Sequence, residues 1–174
     1  MAIAVVEQLH GALIDAMQAQ ELDTRGRKER LHDTIAVSFD IPTIVRLSLG
    51  AAWRELDDDE RERLERAQFE LILTTYAARF ADYEGETFET HGLGEAPRGQ
   101  IMVRTEILPE GVRLEYLLRE VDGEPRIFNV IADGYSELSM RRAEYTSLYA
   151  RGGLAALLRE IERLSRANLE RGAD

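Results

Sequence analysis

Cysteine is absent from the 174-residue chain, which excludes disulfides, thiolate nucleophiles and zinc–thiolate sites together. Positive charge is scarce: 22 Lys and Arg stand against 33 Asp and Glu, for a net charge of −11. A surface this acidic repels phosphate backbones and anionic bilayers. It therefore argues against nucleic-acid binding and against stable membrane insertion, and favours a basic protein partner. Long apolar runs are missing as well, and none approaches the ~20 residues of a membrane-spanning helix. The opening "MAIAVVEQLHGALIDAMQ" has a five-residue apolar run and no basic flank, so it does not read as a signal peptide. A processed chain carrying an added initiator methionine would read the same way.

Groups suited to catalysis are few. His10, His32 and His91 stand alone, without the spacing of a metal-binding or catalytic pair, and each reads as a surface or helix-face residue. "DDDE" at 57–60 reads as the solvated start of a helix rather than a metal site, so no metal ligand is assigned. "HGLG" lacks the preceding strand and following helix of a phosphate-cradling loop, and no serine sits in a nucleophile elbow. Asp133, followed by Gly134, reads as a turn before it reads as an acid or base.

The chain does have clear periodicity. Ile3, Val6, Leu9, Leu13 and Met17 mark one face of a first helix, and Leu31 and Ile35 mark a shorter second one. In "DIPTIVRLSLG", Asp40 suits a cap, Pro42 a first turn and Gly50 a left-handed end. Asp57 and Glu60 have capping-box spacing at the start of the longest helix. Along it Phe69, Leu73, Tyr76, Phe80 and Tyr83 form one stripe, widened by Leu64, Ile72 and Ala77 and ended by Gly85. The period then drops to two. "GQIMVRTEIL" and "GVRLEYLLRE" alternate as half-buried antiparallel strands around the turn "PEG". "RIFNVIA" follows the turn "VDGEP", "ETFETH" is an earlier strand, and "GLGEAPRG" is a loop. "SELSMRRAEYTSLYARGG" and the amphipathic "LAALLREIERLSRANLE" close the chain as helices. The expectation is one α+β domain over 1–174, helical over 1–84, with strands over 86–132 and helices over 136–171.

The stretch "TIAVSFDIPTIVRLSLGAAWRELDDDERERLERAQFELILTTYAARFADYEGETF" resembles the MlaC family of periplasmic phospholipid-binding proteins, the toluene-tolerance auxiliary proteins of lipid ABC transporters. Its pattern falls here on Phe39, Asp40, Gly50, Trp53, Phe69, Tyr76, Ala77, Tyr83 and Gly85. A later part falls on Asp133, Gly134, Ser136, Arg142 and Tyr145 in "NVIADGYSELSMRRAEYTSLYARGGLAALLREI". Within the family the chain looks closest to the hopanoid-associated HpnM branch. It departs from the pattern at Pro125, where relatives carry tryptophan, and at Tyr135, where a smaller aliphatic residue is usual.

The resemblance implies a curved antiparallel sheet of about four strands wrapped by N- and C-terminal helices, with an apolar cavity between them. It implies a periplasmic carrier of phospholipid or hopanoid lipid, with its export signal absent from this sequence. Such a carrier works with an inner-membrane ABC transporter, its lipid-binding subunit and an outer-membrane complex. It implies no enzymatic activity and no cofactor beyond a bound lipid. The helical stripe and the strand alternation then select Leu47, Trp53, Leu73, Tyr76, Phe80, Ile101, Val103, Tyr116, Val130, Tyr135 and Tyr145 for tail contact, on faces expected to be free of charge. Two other readings stay open. One is a small-molecule enzyme on a cone-shaped α+β scaffold, which requires Asp133 or His91 inside the cavity. The other is an adaptor whose apolar faces pack fully against each other.

Overall fold

The computed structural model describes residues 1–79 and 82–171. Among them lie helices α1 (Ala2–Gln18), α2 (Thr24–Ser38), α3 (Ile41–Leu49), α4 (Asp58–Arg79) and α5 (Glu137–Glu170). A 3-10 turn over Gly50–Glu55 joins α3 to α4. Strands β1 (Thr87–Gly94), β2 (Ile101–Leu108), β3 (Val112–Val121), β4 (Glu124–Ala132) and β5 (Tyr135–Ser136) form one antiparallel sheet in sequence order. This is an α+β fold, with a short fifth strand added to the four expected. None of the described helices is long and apolar enough to cross a membrane.

Local chemistry sets the element ends. Asp40 accepts a hydrogen bond from the Thr43 amide at 3.2 Å, and Gly50 closes α3 at φ 60°. At α4, the Glu60 amide donates to Asp57 at 2.8 Å while the Asp57 amide donates to Glu60 at 3.0 Å. The capping box is complete, so the acidic run serves the helix start. β3 turns into β4 through Asp122 and Gly123, both at positive φ, with Glu120 opposite Pro125 and the register shifting only further on, between Leu117 and Leu118. Proline in the place of tryptophan leaves this hairpin intact.

Two boundaries differ from expectation. Strand β1 takes in Gly92–Gly94, where the sequence reads as loop, because a bulge between Thr90 and Gly92 lets pairing resume. Tyr83 is not helical; it sits beyond α4, half-buried, with its hydroxyl donating to the Glu86 carbonyl at 3.2 Å. The two C-terminal helical segments meet where expected: α5 is broken at Gly152 and Gly153, whose backbones leave helical geometry.

The apolar core falls into two neighbouring clusters. The larger joins α1, α2 and the end of α4 to the inner face of the sheet, around Leu9, Leu13, Leu73, Val103, Tyr116, Leu118 and Ile127. The smaller joins α3, the start of α4 and the second half of α5, around Val45, Leu64, Leu157 and Ile161. Helix α4 belongs to both and is covered by α2 on one side and α5 on another.

Candidate functional site

Because α4 packs on more than one side, its stripe is not single. Phe69 turns toward α2, where the His32 ring meets it edge-on at 5.3 Å. A second row, Gln68, Leu71, Ile72, Thr75, Tyr76 and Arg79, faces a cleft between α4, α5 and β4. The opposite walls are Phe128 and Asn129 of β4, and Met140, Tyr145 and Leu164 of α5. Phe39 and Ile44 close one end. That end is fixed by the backbone: the Asp40 amide donates to the Ile127 carbonyl at 2.8 Å, holding the start of α3 against β4. Arg119 tightens the same joint, with Nε 3.6 Å from the Asp40 carboxylate and a bond to the Thr43 hydroxyl at 2.9 Å.

The cleft encloses about 340 Å³, within the range of small-molecule sites. Its rim carries charge, contrary to the expectation of uncharged faces: Arg79, Glu137, Arg141 and Glu144 all border it. Arg79 lies 3.9 Å from Glu137 and 5.7 Å from the centre of the Tyr76 ring, so it bridges the ionic rim and the apolar wall. Burial holds the phenols of Tyr76 and Tyr145 well above their usual range, so both stay neutral. The Tyr145 hydroxyl, from the smaller cluster, donates to Gln68 Oε1. Asn129 is held in place, donating to the Ser136 hydroxyl at 3.0 Å and accepting from the Leu138 amide at 3.0 Å. This arrangement presents apolar walls, a few fixed polar groups and a mixed-charge mouth.

Behind Tyr76 the inner sheet face is closely packed. Tyr76, Arg79, Leu13, Phe88, Tyr116 and Val130 surround an enclosed seam of only about 20 Å³. Tyr76 and Arg79 thus belong to both the cleft and the seam. His10 is 5% exposed rather than a surface residue, with Nε2 2.9 Å from the Tyr116 hydroxyl and its ring stacked on Phe88 at 3.9 Å. Burial lowers its pKa to about 4, so the imidazole is neutral at ordinary pH.

Of the residues selected from sequence, Tyr76 and Tyr145 line the cleft. Leu73, Val103, Tyr116 and Val130 are buried in the larger cluster, with Tyr116 and Val130 at the seam. Leu47 packs half-buried against that cluster. Ile101 borders a separate groove with Met1, Leu93 and Pro125 at the far end of the sheet. Trp53 lies in the smaller cluster, with the Arg61 guanidinium 5.1 Å from its ring centre. Tyr135 is 71% exposed on β5 and touches neither cleft nor seam, since the turn at Asp133 and Gly134 points it outward. Phe80 lies outside the described residues.

The two candidate acid–base groups are elsewhere. His91 is exposed on β1, 3.0 Å from Glu106. Asp133 occupies an exposed turn at φ 47° and accepts from the Arg113 amide at 3.0 Å. Sequence reasoning did not select Phe39, Gln68, Phe128, Asn129 or, on α5, Met140 and Leu164. Gln68 had one available signal, since it sits four residues from both Leu64 and Ile72 and so continues their face.

A search of curated proteins gives no match to this chain. Among solved structures, the fold is similar to a phospholipid-binding protein from Ralstonia solanacearum, determined in complex with a phospholipid at 1.53 Å resolution. The two share 14% identity, with 95% of this chain and 97% of that chain covered at a TM-score of 0.81. The family model described as "MlaC protein" matches residues 5–163. That span takes in all of α2, α3, α4 and the sheet, together with the greater part of α1 and α5, and so the chain belongs to the MlaC family.

Proposed function

We propose that this protein is a lipid carrier, seating acyl chains in the cleft between α4, α5 and β4 and leaving the headgroup at the charged mouth. The observation that carries this reading is the cleft itself: apolar walls from Phe39, Ile44, Ile72 and Phe128 opening at Arg79, Glu137 and Arg141. The phospholipid held by the structurally similar Ralstonia protein supports it. A two-tailed lipid exposes ~30 methylenes, and at ~0.8 kcal/mol each their transfer into water costs on the order of 25 kcal/mol. Movement across an aqueous gap therefore needs a protein that shields the chains.

Taking the ~30 Å³ of a liquid-water molecule as the size of a methylene, the cleft admits on the order of ten methylenes. A whole lipid needs the seam behind Tyr76 to widen, and Tyr76 and Arg79 stand where the two spaces meet. Family membership extends the reading to a periplasmic shuttle that works with an ABC transporter, its lipid-binding subunit and an outer-membrane complex. No catalytic step is part of it. The likeness to the hopanoid-associated branch makes a hopanoid the second cargo to test.

Solvent extraction of the gently purified protein, followed by mass spectrometry, is the decisive experiment. A stoichiometric glycerophospholipid is the expected result. Protein that yields no lipid, and takes none up from lipid-loaded micelles, would overturn the carrier reading.

A further inference from the structure

Gln68 is fully buried at 0% exposure and borders the cleft. Its Oε1 accepts from the Tyr145 hydroxyl, while Nε2 has no hydrogen-bond partner among the described residues and is shut off from solvent, so an acceptor reaches it only as the cleft widens. Buried polar atoms are nearly always paired, and an amide donor facing apolar walls is costly unless something accepts from it. With Oε1 turned to the Tyr145 hydroxyl, the end of the carboxamide left without a partner is the donor Nε2.

Taking the carrier reading as its basis, we propose that Gln68 Nε2, oriented by Tyr145, is a polar subsite inside the cleft that hydrogen-bonds an ester carbonyl at the head of an acyl chain. The chemistry selects that group. A carbonyl oxygen only accepts, which matches the free Nε2 donor, whereas a hydroxyl would also bring an O–H in need of its own acceptor among apolar walls. A phosphate or free carboxylate would carry an anion away from Arg79 and Arg141 at the rim into apolar surroundings, at a large desolvation cost. The subsite thus sets the depth at which the lipid stops, with its headgroup outside.

The test compares a phosphatidylethanolamine bearing two ester-linked palmitoyl chains with its ether-linked counterpart, which has the same headgroup and no carbonyl. Delipidated wild-type protein should bind the ester lipid on the order of tenfold more tightly. In the double variant Gln68→Leu/Tyr145→Phe both polar partners are removed together, so the core stays matched and the preference should vanish. Equal affinity of the wild type for both lipids, or an ester preference that survives in the double variant, overturns the subsite. A second readout needs no variant: the Gln68 side-chain amide resonance should shift with the ester lipid and stay in place with the ether lipid, and an unmoved resonance also overturns the subsite. A wild type that takes up neither lipid brings down the carrier reading and the subsite together. Equal uptake of both brings down the subsite alone.

Discussion

His10 Nε2 lies 2.9 Å from the Tyr116 hydroxyl, joining α1 to β3 across the buried face of the sheet. Phe88 stacks on the imidazole at 3.9 Å, so protonation would place a charge among apolar groups. The folded pKa of about 4 lies below the ordinary value of 6.5. The unfolded chain therefore binds the proton first. Stability is at its full value above pH 6.5, falls as pH drops from there toward 4, and stops responding to this group below 4. The loss reaches roughly 3 kcal/mol. Urea denaturation at pH 7 and pH 4.5 should show it. The double variant His10→Phe/Tyr116→Phe should lose that part of the pH slope, and an unchanged slope would count against a neutral His10.

Gly153 lies at φ 65°, ψ −164°, a conformation almost confined to glycine, and it lets α5 bend so that Leu157, Leu158 and Ile161 reach the smaller cluster. Gly153→Ala should destabilise the protein by about 1–3 kcal/mol. Gly152→Ala should also lower the thermal midpoint, because its methyl group would meet the Ala156 Cβ at 2.6 Å. Thermal melts of the two single variants check this, and a midpoint unchanged in both would show that the bend is not required.

The protein should not sediment with anionic vesicles at physiological salt in the absence of a docking partner. Its net charge is −11, and the basic residues of the cleft rim are interspersed with Glu137 and Glu144. Co-sedimentation with phosphatidylglycerol vesicles is the measurement. Strong binding there, undiminished by salt, would mean that an apolar surface and not charge governs membrane contact.

Signals carried by neighbouring residues were legible in the sequence. Asp40, Gly50 and the Asp57–Glu60 box act within a few positions of one another, and the strand alternation of Val103, Leu114, Tyr116 and Leu118 follows from one buried face. What depends on where a distant element comes to rest was not. Gln68 looks like an interruption until α5 brings Tyr145 against it from 77 positions away. The charged rim arises because α5 lays Glu137 and Arg141 beside Arg79, which no local period encodes. His10 looked inert for the same reason: its partner, Tyr116, is 106 residues further along.

Tyr76→Glu should lower lipid binding at least as much as it lowers stability. Tyr76 is 8% exposed, packs against Phe39 at 5.9 Å between ring centres, and borders both the cleft and the seam behind it. A carboxylate there either ionises among apolar groups or stays protonated with a raised pKa, and both outcomes oppose acyl chains. Arg79, next to the Tyr76 ring, can turn toward the new charge and spare part of the folding loss, but only by drawing both groups across the passage between cleft and seam. Core damage alone would cost several kcal/mol, and lipid would be lost only in proportion to unfolded protein. Thermal midpoint and extracted lipid, measured on one preparation below the melting transition, separate the two cases. A folded variant stripped of lipid places Tyr76 at the path of the chains, and a folded variant with its full lipid load removes it from that path.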